Sequence, residues 1–396
     1  MFQAFYSGLS GLMSFTKGLD QISNNVANMN TSGFKAKDLF YKSISGGCGT
    51  SVGGEYLRDK QGDIRQTGND TDLAIRGEGF FVLRDEASTY LTRAGQFFFN
   101  SEGLLVDKAT GYRVASLDSD GKLSDINISD KRFLSPKSTK NITLKGNISA
   151  DGETHAISNI TTFDSVGKKQ TYSVEFSERH SIYRTEKNEQ GEDVNIPTGE
   201  TGWSVNLLNS AGESVVKGEL RFDSSGKIIK EYDSVTLKLA VNDESESSQE
   251  LKLSFSDTTC FASGELSDLG VSDVDGHAIA GLTKVSFDEQ GELNLTYSNG
   301  DDKSSFKVAL AKVNDQQRLN QLSNALFSVN EGDEVSFGFA SDGQLGKIVG
   351  NSIELSNVDL AEEFAEMMIV QRGYQSSSRI LSVANEMIET LYNSGR

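Results

Sequence analysis

The chain has 396 residues with 36% apolar and 24% charged content, a balance compatible with folded cores and a length that suggests two or three domains at roughly 100–200 residues each. A formal net charge of −19 argues against nucleic acid and anionic membranes as partners, since both reward basic patches. It suits a subunit that must stay soluble at high local concentration. Two prolines against 39 glycines point to tight turns rather than stiff linkers.

The first thirty residues predict one helix. Phe2, Phe5, Leu9, Leu12, Thr16, Leu19, Ser23 and Val26 follow the spacing of a heptad seam. Lys17 and Asp20 are the only side-chain charges before Lys35, too few for a lone surface helix. A second stripe, Gly8, Gly11, Ser14 and Gly18, is built of small residues. Interior glycines cost a helix about 0.8–1 kcal/mol each relative to alanine, which is worthwhile only where something approaches closely. The segment therefore reads as a helix marginal alone and stable in an assembly. It has no basic leader and no continuous apolar core, so no secretory signal is expected. No run is long enough to cross a membrane as a helix.

The glycine-rich stretch Ser45–Gly54 reads as a flexible strap after this helix. Beyond it the pattern is almost entirely β, in short alternating runs. One turn recurs at Phe99–Gly103, Phe222–Gly226, Phe287–Gly291 and Phe339–Gly343: an aromatic at a strand end, a polar turn, then Gly where positive φ is needed. Asp233–Glu250 reads as a strand plus an acidic surface loop, and Trp203 as the anchor of a core. The last forty residues predict a second long helix, with Asn357 or Asp359 as its cap and Glu362 and Glu363 in its first turns. Leu360, Phe364, Met367, Gln371, Tyr374, Ser378, Leu381, Asn385, Ile388 and Tyr392 form its heptad series, in which Gln371, Ser378 and Asn385 read as register-fixing polar members.

The fold class expected is mainly β with paired N- and C-terminal α-helices, in nested domains. A helical domain takes 1–34 and 355–396, a Gly-rich connection 35–70, an inner β-domain 71–145 and 281–354, and an inserted outer β-domain 146–280. Catalytic signals are weak. His155, His180 and His277 are scattered, Gly77-Glu78-Gly79 lacks the rest of a dinucleotide loop, and no phosphate loop occurs. Asp118–Gly121 and Asp273–Gly276 lack the distal ligands of a calcium loop and read as hairpin turns. Cys48 and Cys260 have no partner spacing. No catalytic, metal or cofactor residue is assigned.

Specific blocks carry a resemblance. Ser23-Asn24-Asn25-Val26-Ala27-Asn28 with Thr31-Ser32-Gly33-Phe34-Lys35 is similar to the N-terminal signature of the bacterial flagellar rod and hook proteins. Ser356–Leu360 with Glu363-Phe364, Met368-Ile369, Gln371-Arg372 and Tyr374-Gln375 resembles that family's closing signature. Asp72–Ile75, Gly77–Phe81 and Tyr90–Phe97 resemble the start of its inner β-domain. Gly373 and Ser376-Ser377 depart from the pattern. The inserted domain favours the hook branch over the shorter rod branch. The resemblance implies a homopolymer, a curved hollow tube acting as universal joint between rod and filament, with terminal helices lining the channel. It implies distal rod, hook cap and hook–filament junction proteins as partners, together with the flagellar export apparatus. The location implied is the extracellular flagellum, reached without a cleaved leader. Self-assembly residues expected on this reading are Phe5, Leu9, Leu12, Leu19, Asn24, Asn25, Val26, Asn28, Phe364, Met367, Gln371, Tyr374, Leu381 and Ile388. A rod or hook-associated subunit is the near alternative. A secreted β-rich adhesin with a helical stalk, or a hydrolase hidden in the insertion, is the distant one.

Overall fold

The computed structural model describes residues 2–44, 49–86, 88–118, 121–187, 193–240, 248–264, 266–329 and 334–394. Two compact units divide the chain, the first built from 1–132, 283–296 and 301–396, the second from 133–282 and 297–300.

The first unit opens with α1, Phe2–Ala27, and closes with α2, Leu360–Ser394. Between them α1 is followed by an antiparallel hairpin of β1, Lys37–Ser43, and β2, Thr50–Leu57. The glycine-rich stretch is therefore not a flexible strap through its second half. Gly54 lies opposite Phe40 in the ladder, and a methyl group on it would sit 2.6 Å from the Phe40 ring. The missing side chains make room for an aromatic ring. Cys48 and the tip of this stretch, 45–48, lie outside the described residues.

The body of the first unit is a ten-stranded sheet assembled from two distant parts of the sequence. Phe80–Arg84 pairs with Thr89–Thr92, and the returning segments Leu310–Val313 and Leu326–Ser328 add to these same strands. Lys347–Gly350 pairs with Leu73–Arg76, and Ser352–Glu354 with Ile64–Gln66. Phe80, Val82, Leu91, Ala311 and Phe327 form its core.

The second unit contains two four-stranded sheets. One is the meander His155–Phe163, Lys169–Lys187, Asp193–Leu208, Ser214–Phe222; the other has the order Ser234–Ala240, Ser248–Phe261, Asn141–Ser149, Gly270–Val274. Trp203, Phe176, Phe222 and Phe255 are fully buried in its core, so Trp203 is the anchor its sequence suggested. Cys260 is buried among them. Residues 241–247 of the expected acidic loop, and Ser119-Asp120, lie outside the described residues.

All four aromatic-led turns place their glycine at positive φ, between 58° and 82°. In three of them Asn100, Asp223 or Asp288 accepts two backbone N–H bonds from the residues two and four further on. The side chain thus supplies the acceptors that the tight backbone lacks. Asp164 and Asn209 build the same turn before Gly167 and Gly212, two cases the sequence reading passed over. Asp273–Gly276 is not a hairpin turn: Asp273 and Val274 end a strand, and Asp275 accepts from the Lys140 and Asn141 amides.

Candidate assembly surface

The two helices meet through small residues. Gly8, Gly11, Ser14, Gly18, Ile22 and Asn25 form the buried stripe of α1, and Glu363, Ser377 and Ala384 are the buried residues of α2, with Val370, Gly373 and Leu381 beside them. A methyl group on Gly8 would lie 3.1 Å from Leu381 Cγ, and one on Gly11 2.7 Å from Ser377 Oγ. Ser14 Oγ also donates to the Thr50 carbonyl at 3.1 Å, holding β2 on the same face. Backbones this close leave no room for larger side chains, so the stripe of small residues, not the apolar heptad series, chooses the partner inside the chain.

That choice corrects the seam predicted for α2. The inward positions are Glu363, Val370, Ser377 and Ala384, seven apart and one residue N-terminal to the expected polar series. Gln371, Ser378 and Asn385 are exposed and do not fix register between these two helices. Gly373, which departs from the family pattern, receives the Phe15 ring, whose nearest carbon would be 2.5 Å from an added methyl. Gly373→Ala should therefore destabilise helix docking by up to about 2 kcal/mol, because overpacking of about 1–3 kcal/mol is set against a propensity gain of about 1 kcal/mol. The urea midpoint of the helical circular-dichroism signal checks this; a stabilised variant would refute the seating of Phe15.

The other predicted assembly residues divide into two groups. Leu9, Asn24, Phe364, Gln371 and Tyr374 are exposed, while Phe5, Leu12, Leu19, Val26, Asn28, Met367, Leu381 and Ile388 are half-buried. Asn25 works inside the chain. It is 1% exposed, donates to the Lys37 carbonyl and the Glu363 carboxylate, and accepts from the Lys37 amide. Sequence reasoning missed the large apolar residues Met368, Ile369, Met387 and Leu391, each more than half exposed on α2. Nothing in the sequence marked them, because their exposure follows from which stripe of α2 faces α1.

Charged clasps anchor both helices at their base. Asp359 caps α2, accepting from the Ala361 amide at 2.8 Å. Asn357 accepts from the Ala36 amide and donates to the Arg58 and Lys60 carbonyls. Arg58 forks onto Asp38 with bonds of 2.6 and 2.8 Å and reaches Glu363 at 2.9 Å. Burial pushes the Glu363 carboxyl above its usual range, against the pull of Asn25 and Arg58. A second clasp is deeper. Glu354, 1% exposed, accepts from Lys35 Nζ at 2.9 Å and Arg93 at 3.1 Å, with the Gly62 amide at 3.1 Å. Burial lowers the pKa of both cations, and the shared carboxylate opposes that shift.

Four family models match in chain order: the flagella basal body rod protein model over 5–35, the flagellar hook protein FlgE/F/G D1 domain over 74–156, the flagellar basal body protein FlaE D2 domain over 137–277, and the flagellar basal body rod FlgEFG protein C-terminal model over 349–394. Flagellar hook protein FlgE of Brucella suis biovar 1 is 28% identical, with 98% of this chain and 97% of that protein covered. The Escherichia coli K12 protein of the same name is 24% identical over 98% and 99%. The chain belongs to the flagellar hook protein family. The crystal structure of Helicobacter pylori flagellar hook protein FlgE2 shares the fold, with a TM-score of 0.50, 12% identity, and 72% of this chain and 98% of that chain covered. Hook proteins are structural rather than enzymatic. In this hook subunit the matched terminal blocks are where the clasps lie: Asn25 and Lys35 at one end, Glu354, Asn357 and Glu363 at the other.

Proposed function

We propose that copies of this hook subunit pack through the exposed apolar faces of α1 and α2 into a curved, hollow tube that joins rod to filament as a universal joint. One observation supports the reading above the rest. The helices have used their small-residue stripes on each other, yet Leu9, Phe364, Met368, Ile369, Tyr374, Met387 and Leu391 remain exposed on them. A row of such residues on monomeric surfaces is unusual and marks a partner-binding face. On this reading the terminal segments 1–34 and 355–396 line the channel, the segment 35–70 leads from the first helix into the β-rich part of the chain, and the β-domains form the outer layers. The subunit performs no catalysis. Its further partners are the distal rod protein, the hook cap, the hook–filament junction proteins and the flagellar export apparatus that delivers it to the extracellular hook.

Electron microscopy of a strain lacking the chain tests the reading. Loss of the hook with the rod retained, restored by expressing the chain, is the expected result. Loss of the rod, or intact hooks, would overturn it.

A further inference from the structure

The meander of the second unit carries a feature its core does not need. Its two central strands, Lys169–Lys187 and Asp193–Leu208, run on past their neighbours. Beyond the Ser181↔Thr201 row they pair, among the described residues, only with each other, from Tyr183↔Pro197 to Lys187↔Asp193. Five ladder rows make an arm of about 17 Å. Tyr183, Arg184, Thr185, Glu186 and Lys187 are all exposed, as are Asn195, Ile196 and Pro197. Tyr183 is 58% and Ile196 45% exposed. Ile196 pairs with Arg184 and Tyr183 with Pro197, so each face of the arm presents an apolar side chain to solvent. A bare two-stranded ribbon is at best marginally stable in water, so this one needs a surface to lie on.

The same unit offers a receptor. His155–Phe163 and Gly270–Val274 are edge strands of their sheets. Between them opens a cavity of about 460 Å³ lined by Ile157, Ile160, Phe163, Val271 and Val274. A bulge at Ser158-Asn159, with Asn159 at φ 63°, breaks the edge ladder. That break disfavours a whole added strand and favours a side chain inserted as a plug. Asp273 is exposed beside Val271 and Val274, while Lys187 lies on the first strand of the arm, past the Arg184–Glu186 ion pair.

We propose that the arm of one hook subunit docks on the second unit of the next copy, with Tyr183 filling the cavity between 155–163 and 270–274 and Lys187 of the arm facing Asp273. The proposal rests on the homopolymer reading above. Donor and receptor are different patches of one molecule, so the contact is heterologous. Repeated from copy to copy it runs on as an open helical row rather than closing on itself.

Disulfide trapping in assembled hooks tests it. A Tyr183→Cys, Val271→Cys chain in a Cys48→Ser background should give a ladder of covalent multimers on mild oxidation of isolated hooks, and neither single variant should. Intact hooks whose two thiols stay reactive and unlinked would overturn the arm while leaving the polymer reading standing; no hooks from the unmodified chain would tell against the polymer reading itself. As a second measurement, Tyr183→Ser with Ile196→Ser should keep native Trp203 emission yet raise the rate of hook dissociation on heating roughly tenfold or more, as for loss of an interface anchor. Dissociation at the parent rate would count against the docking.

Discussion

Glu354→Ala should weaken the first unit by about 3–5 kcal/mol, the range seen when one partner is removed from a buried ion pair. The carboxylate holds Lys35 and Arg93, whose side chains are 3% and 5% exposed, and also takes the Gly62 amide. Without it two buried cations face each other with neither neutralised. Arg93 is further constrained: it donates to the Gly77 carbonyl and stacks over Phe80 at 5.3 Å, so it cannot swing out to water without disturbing the core. Urea titration provides an internal control. The chain's one tryptophan, Trp203, is buried in the second unit, so its emission midpoint should stay unchanged while the far-ultraviolet transition of the first unit moves to lower urea. Coincident shifts of both signals, or no shift, would contradict the assignment.

Met368→Asp should abolish hook assembly and motility while leaving the subunit folded. Met368 is 57% exposed on α2 and lies outside the stripe that meets α1, so a carboxylate there stays largely in water in the monomer. In a polymer seam the same group would be buried without a partner, and desolvating an unpaired charge is expensive. Leu381→Asp makes an informative contrast. Leu381 lies over Gly8, so that variant should undock the helices inside the subunit as well, visible as reduced helical signal and faster proteolysis of the termini. Wild-type hooks from Met368→Asp would remove α2's outer face from the proposed seam.

Heptad periodicity made both helices legible in the sequence, and the Phe-led turns marked several hairpins. Which stripe faced which partner was not legible. A repeat of seven says that a helix has contact faces, whereas the allocation depends on how closely two backbones approach, and Gly8, Gly11, Gly373 and Ser377 settle that only once paired. The clasps were hidden for a different reason. Lys35 and Glu354 are 319 residues apart in sequence, and nothing local distinguishes a lysine destined for a buried carboxylate from one in solvent. The parallel pairing of Asn141–Ser149 with Ser248–Phe261 was hidden likewise, since turn signals reveal only neighbours joined by a hairpin.

The returning strands of the first unit also set a timetable. Ser352–Glu354 must pair with Ile64–Gln66, and Leu310–Val313 with Phe80–Phe81, before that unit has its sheet, its buried carboxylate or its docked helices. The second unit closes almost wholly within 133–282. A chain passing end-first through a narrow conduit can thus complete the second unit midway, whereas the first stays open until the opposite end emerges. For a chain delivered in that way the terminal segments, whichever led, would stay unclasped until the trailing one emerged to complete the first unit.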